Sequence, residues 1–578
     1  MKKFWLLIFK HMKNLLYIFL LVSLTTGCTD DILNTVDNNN LSSASFLKTE
    51  NDFQLATNAS YCPLAEGVAN TFDKRGMFGG EYFLRLNQLD PYIWFESPKA
   101  GLDQMVINIS DFQGFWGSMY VGLYRTSLSL SKINNIKEIV DSTTYSHFKG
   151  QLLALRGMYY FYLVTWFNKP VFYDETDVPV DVTKTYGNGT PEQFWDKLEA
   201  DLTEAATLLP ASWGTDDLGR ITSGAAYAQL GKALLYKHYH YYLRFSKGDT
   251  DEAKANLQKA KDAFEHVIDS KIYHLMQPVN KTKGDYQAAL LCNFSYIDLP
   301  PVDEKGDITG TYTYNSENNA ESVWEIQFND QDRNATGWLP GDMWGGNLNY
   351  MYFSVHQSSY KNLEIDPSLW YEFETVTSHP AGYSRDPRAY ATCYLDGDLM
   401  DWRQSTGYKT GFLSGLNSKN IVYNYSLYSG TTPSKSIGLK KYSYPQYIDN
   451  AAPNCAPYNV RVIRYADVLL MYAETCLQLD DDADGKGLEA LNEVRDRVDM
   501  PEIAELTPAA IVHERTVELA TEGHYYNDII RWMYDSKFNI DLDKLFRGKF
   551  SKDKNYCFPI PQADIDLNEG KLKQNPGW

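Results

Sequence analysis

Residues 514–532, ERTVELATEGHYYNDIIRW, gather four carboxylates, two arginines and one histidine in nineteen positions. Glu514, Glu518 and Glu522 recur every fourth residue, a spacing that predicts one face of a single helix, and Arg515 stands one turn from Glu518. Thr507 followed by Pro508 is a cap with proline at the first helical position, so the predicted helix runs from Pro508 to about Trp532. Such an array serves either acid–base chemistry or a hydrogen-bonded ionic clamp between packed helices. Both uses require further helices nearby.

Those helices are readable on either side. Residues 462–479 and 487–498 carry spaced apolar positions, with Cys476 on an apolar face. Towards the N-terminus, residues 112–137 end in Ile133 and Ile136, and residues 149–167 place Leu152, Leu155, Tyr159, Leu163 and Phe167 about a turn apart. Thr190-Pro191-Glu192-Gln193 is a capping box that opens a helix ending near Pro210. Another starts at Thr222 or Ser223, with Ala226, Leu230, Ala233 and Leu234 in one stripe, and a further one runs from Asp251 to Asp269. Between about 274 and 460 the helical period is lost, Gly, Asn, Ser, Tyr and Trp dominate, and Glu321 to Phe328 alternates as a strand. The expected fold class is mainly α: a tetratricopeptide-like helix-pair scaffold with a loop-rich, partly β insert. The expected parts are 28–273 (N-terminal helical), 274–460 (irregular) and 461–578 (C-terminal helical), within a body of residues 28–578.

The first 27 residues differ from the rest. Lys2, Lys3, Lys10 and Lys13 precede the apolar run Leu15–Val22, and Leu24-Thr25-Thr26-Gly27-Cys28 follows. This is the pattern of an export signal, and the apolar run is too short to span a bilayer. Met12 begins a more compact version of it. A small residue before Cys28 resembles the bacterial lipobox, with Leu24 one place further upstream than usual, which implies lipidation at Cys28. Asp30-Asp31 behind it resembles the surface-export tags of Bacteroidota lipoproteins. Loss of these four cations from a chain of formal net charge −20 leaves −24. A body that acidic repels polyanions, so nucleic acid is excluded as a partner, and it has no affinity for anionic lipid beyond an anchor. The other six cysteines form no CxxC or metal-ligand spacing and no readable disulfide framework.

Several stretches together resemble the SusD/RagB family. They are Trp116-x3-Tyr120-x2-Leu123 (with Ser127 where Asn is usual), Ala154-Leu155-Arg156 running into Tyr160–Val164, Gly219-Arg220-Ile221-Thr222 before Ala225-Ala226, and Asn318-x2-Glu321-Ser322-Val323-Trp324-Glu325. Further on come Asp386-Pro387-Arg388, Val462–Asp467 continuing to Tyr472-Ala473-Glu474, Leu491-Asn492-x2-Arg495, the 514–532 run itself, Pro559-Ile560-Pro561 and Gln574-Asn575-Pro576-Gly577. The resemblance covers the chain from the lipobox to Trp578. It implies a cell-surface protein on the outer membrane that captures an oligosaccharide or polysaccharide without cleaving it. It also implies a partner, a SusC-like TonB-dependent transporter, and it assigns the 514–532 cluster to the scaffold. Some relatives are thought to carry peptides, which leaves peptide cargo as an alternative.

The ligand site is expected in polar, aromatic-rich loops, where ring faces are free to meet the apolar C–H faces of sugars. Trp94 and Phe95 form one candidate loop with Tyr92 and Ile93, and Tyr312 and Tyr314 a second. The third is Arg333, Asn334, Trp338, Asp342, Trp344, Asn347 and Tyr350, within a Gly-rich stretch. Each of these rings could equally pack a loop core. Asp480-x-Asp482-x-Asp484-Gly485 imitates the first half of a calcium loop, but Leu491 stands where the last acidic ligand belongs, so a structural calcium is only a candidate. No other cofactor is expected. HExxH, GxSxG, GxxxxGK and GxGxxG are all missing. A glycosidase needs only two carboxylates brought together, so a secreted glycosidase stays open as the enzymatic alternative.

Overall fold

Thr190, Thr222, Thr250 and Thr507 each stand before a helix, and the hydroxyl of each accepts a backbone N–H from the first turn. At Thr190 the box is complete, because Gln193 Oε1 in turn accepts the Thr190 N–H at 2.8 Å. The computed structural model describes residues 46–65, 86–95, 109–178, 184–248, 250–294, 314, 316–328, 363–394, 437–442, 458–480 and 482–578. In chain order the principal elements are α1 (Glu50–Ala65), β1 (Ile93–Phe95), α2 (Ile109–Lys132), α3 (Ser142–Phe167), α4 (Pro191–Leu208), α5 (Ser223–Lys237) and α6 (Asp251–Asp269). Then come α7 (Lys283–Leu291), β2 (Ser322–Ile326), β3 (Leu363–Ile365), α8 (Pro367–Glu372), α9 (Pro387–Thr392), β4 (Cys393–Tyr394), β5 (Gly438–Leu439) and β6 (Val460–Arg464). The chain closes with α10 (Tyr465–Leu479), α11 (Lys486–Asp496), α12 (Pro508–Glu518) and α13 (Tyr525–Trp532), followed by two short turns of helix.

The fold class is the expected one. From α2 to α6 each helix packs on its sequence neighbour, and α10 then packs on α6 and on α11. The helical stack therefore continues across the whole insert as though the chain had not left it. The neck of the insert is a short antiparallel ladder: β2 pairs with β6, with Ser322 opposite Arg464 and Ile326 opposite Val460. Among the described residues no helix is long and apolar enough to cross a membrane.

Helix α3 forms the centre of the stack. Asp141 caps it, accepting from the Thr143 and Thr144 amides, which carries its start ahead of the apolar stripe. Every residue from Gly150 to Phe167 is buried, so this helix is covered on all sides and is not amphipathic as its spacing suggested. Two glycines permit the crossings. A Cβ on Gly122 of α2 would overlap the Tyr159 ring, and one on Gly157 would stand 2.7 Å from Leu202 Cγ of α4.

Two predicted helices change character. Residues 462–464 belong to β6, whose β-branched Val460, Val462 and Ile463 favour a strand that ladders with β2, and helix α10 begins only at Tyr465. The run 514–532 is not one helix. Helix α12 stops at Glu518, the backbone takes positive φ at Thr521 (67°) and Gly523 (75°), and α13 starts at Tyr525. Glu522 thus leaves the helical face of Glu514 and Glu518 and sits in the turn between two helices.

Candidate functional site

Breaking the helix at Glu518 lets the carboxylates of this run meet cations from distant segments. Arg464 Nη1 donates to Glu518 Oε1 at 2.7 Å and also binds Glu321, while its Nη2 donates to Glu522 Oε1 at 2.8 Å. Arg388 joins Asp386 (2.7 Å), Glu514 and Glu518, and Arg495 joins Glu514 (2.9 Å) to Glu374 (2.8 Å). Arg497 bridges Glu321 and Glu518. Lys441 reaches Glu522 at 2.8 Å and donates to the Glu518 and Ala520 carbonyls. Burial would raise the Glu518 carboxyl, but Arg497, Arg464 and Arg388 outweigh it and hold it well below the usual carboxylate range.

A second network adjoins the first. Arg515 does not reach Glu518; it binds Asp467 at 2.9 Å and Asp528 at 2.8 Å. Arg531 binds Glu474, which also accepts the Tyr239 hydroxyl (2.7 Å) and the Trp532 indole N–H (3.0 Å). Burial pushes the His524 imidazole down to about 3 despite Asp467 beside it. The four carboxylates of the run are buried, and each is paired with an arginine, so none of them stands free at the surface. The 514–532 cluster is an ionic clamp joining β6, α9, α10, α11, α12 and α13.

The predicted ligand residues fall unevenly. Trp94 and Phe95 lie on β1, opposite Glu364 and Leu363 of β3. Tyr314 is 3% exposed, its hydroxyl accepting the Val279 N–H at 2.8 Å, within a small cluster that includes Tyr286, Leu290 and Met500. Tyr312, Arg333, Asn334, Trp338, Asp342, Trp344, Asn347 and Tyr350 lie outside the described residues, as does Cys28. Of the calcium candidates, Asp480 ends α10 in the left-handed region, Asp482 accepts the Gly487 and Leu488 amides at 2.6 and 3.1 Å, and Asp484 accepts the Lys486 amide. The Asp482 and Asp484 carboxylates cap the turn and the start of α11, while that of Asp480 faces Lys537. Among the described residues no three His, Cys, Asp or Glu side chains are grouped to hold a metal ion.

One aromatic surface escaped the sequence reading. Asp366 caps α8 and Pro367 occupies its first position. Leu369 and Phe373, four apart, are buried and anchor the segment; Trp370 is half-buried against the core, and Tyr371 is turned out to solvent. Tyr371 is 75% exposed. Arg385, brought alongside by the antiparallel bridge between Thr375 and Arg385, lies over both rings, its guanidinium carbon 5.2 Å from the Trp370 centroid and 5.9 Å from that of Tyr371. Its Nη1 donates to the Trp370 carbonyl at 3.0 Å and to that of Phe373. Tyr390 meets the Trp370 ring edge-on at 5.4 Å. The legible signal was an adjacent Trp-Tyr pair between two anchoring positions, outside any Gly-rich loop. The Tyr92 hydroxyl donates to Glu372 at 2.8 Å, so the candidate strand β1 adjoins the same short helix.

Comparison with known proteins supplies the rest. The family described as the SusD family matches residues 320–578, and the family described as "Starch-binding associating with outer membrane" matches residues 85–236. SusD-like protein P38 of Formosa agariphila is 22% identical over 549 residues, covering 90% of this chain and 92% of its own length. A SusD superfamily protein from Bacteroides vulgatus superposes with a TM-score of 0.64 at 21% identity, covering 92% of this chain and all of that one. Surface glycan-binding protein A from Bacteroides thetaiotaomicron, solved in complex with laminarihexaose, superposes with a TM-score of 0.61 at 19% identity over 91% of this chain and 99% of that one. With matched segments at both ends of the helical stack and one fold throughout, this chain belongs to the SusD family.

Proposed function

We propose that this protein is a surface lipoprotein, tethered to the outer membrane through Cys28, that captures a glycan and passes it to a SusC-like TonB-dependent transporter. The observation that carries this reading is the likeness over nearly the full chain to a surface glycan-binding protein holding laminarihexaose. The clamped carboxylates of the 514–532 run support a binder that makes and breaks no bond, since glycoside cleavage needs a carboxylic acid free to protonate the leaving oxygen. Shallow, reversible capture suits hand-over, because slow release would hold cargo back from the transporter.

The test uses the mature lipidated protein purified in detergent from outer membranes. Its migration should be retarded in gels containing at least one polysaccharide, with no reducing ends released, and a transporter should co-purify. Cys28→Ala should free the protein from the membrane fraction. Turnover of a polysaccharide, or retention of peptides in place of glycans, would overturn the reading.

A further inference from the structure

We propose that Tyr371, Trp370 and Arg385 form a sugar-stacking platform that contacts a neutral glycan chain. This rests on the glycan-binding reading above and assigns it a contact surface.

Three observations converge. Tyr371, at 75% exposure, is the most exposed aromatic ring among the described residues, although Leu369 and Phe373 already anchor its helix without it. Its ring stands beside the half-buried Trp370 ring and the Arg385 guanidinium, so that it offers a flat surface next to polar donors rather than an isolated apolar side chain. Among the described residues Arg385 uses Nη1 alone, on two carbonyls, which leaves the N–H groups of Nε and Nη2 as donors for hydroxyls there. The rings and the guanidinium form one patch, with the Ser384 and Tyr390 hydroxyls 3.4 Å apart at its rim. Flat apolar faces beside unused N–H donors match a sugar ring, which is apolar above and below and hydroxylated around its edge. A body of formal charge −24 after signal removal disfavours anionic polysaccharides, which leaves neutral chains.

The experiment compares the mature lipidated protein with Tyr371→Ala and Tyr371→Trp in gels containing laminarin, starch, xylan, galactomannan or polygalacturonate. The exposed position makes both variants fold, which circular dichroism verifies. Tyr371→Ala should weaken binding of a neutral polysaccharide by roughly three- to tenfold, the worth of one ring contact, and Tyr371→Trp should restore it. Wild-type affinity in Tyr371→Ala, where the wild type binds, would overturn the platform and leave the wider reading intact. Reduced co-purification of the transporter with unchanged glycan binding would likewise overturn it and give this face to the partner. If the wild type binds no polysaccharide, the glycan-binding reading itself fails.

Discussion

The Arg464 guanidinium and the Glu518 carboxylate, 54 residues apart in the chain, meet at 2.7 Å with neither side chain more than 2% exposed. This contact joins the neck of the insert to the end of α12, and it does so inside the protein, where neither ion has water to fall back on.

Removing one partner should therefore be costly. Arg464→Met leaves Glu518 and Glu522 short of a cation in a buried site, and such losses amount to about 3–5 kcal/mol. Urea unfolding should show a correspondingly lower midpoint with an unchanged slope. A loss below 1 kcal/mol would show that the other cations compensate.

Acid sensitivity should trace in part to His524. Its folded pKa is depressed to about 3, so between pH 6.5 and about 3 the unfolded chain binds a proton that the folded protein refuses. Stability from this residue is complete above pH 6.5 and declines as the pH falls through that window. His524→Gln should flatten the decline, read as the difference in unfolding free energy between pH 7 and pH 5. An unchanged difference would exclude His524 as the source.

The crossing of α2 and α3 should tolerate nothing larger than glycine at position 122. Gly122→Val would drive a side chain into the Tyr159 ring, which is fully buried and cannot yield, at a cost of about 1–3 kcal/mol or more. Combining Gly122→Ala with Tyr159→Leu should be less damaging than the two single changes summed, since the smaller side chain relieves the overlap. Strict additivity in thermal melts would contradict this.

Asp482 should behave as a helix cap. Asp482→Ala removes the acceptor for the Gly487 and Leu488 amides and should lower stability by about 1 kcal/mol, by the same amount with calcium or with a chelator present. A loss that appears only with calcium would make the loop a metal site.

The starts of α4, α5 and α12 were legible in the sequence because a cap is local: Thr190, Thr222 and Thr507 bond the amide three residues on, and no distant contact is needed to satisfy them. The same locality made the apolar stripes of α5 and α6 readable, and the family motifs lie largely on such elements. Tertiary contacts decided the rest. Residues 514–532 read as one helix, yet Glu522 binds Arg464 and Lys441, and that pairing requires the chain to turn at Thr521 and Gly523. Val462–Arg464 could extend a helix until β2 offered a ladder. Tyr314, in a polar stretch of sequence, is buried, whereas Tyr371, beside Leu369, Trp370 and Phe373, is exposed. Spacing along a chain records which residues share a face, but which face meets another segment depends on contacts hundreds of residues away.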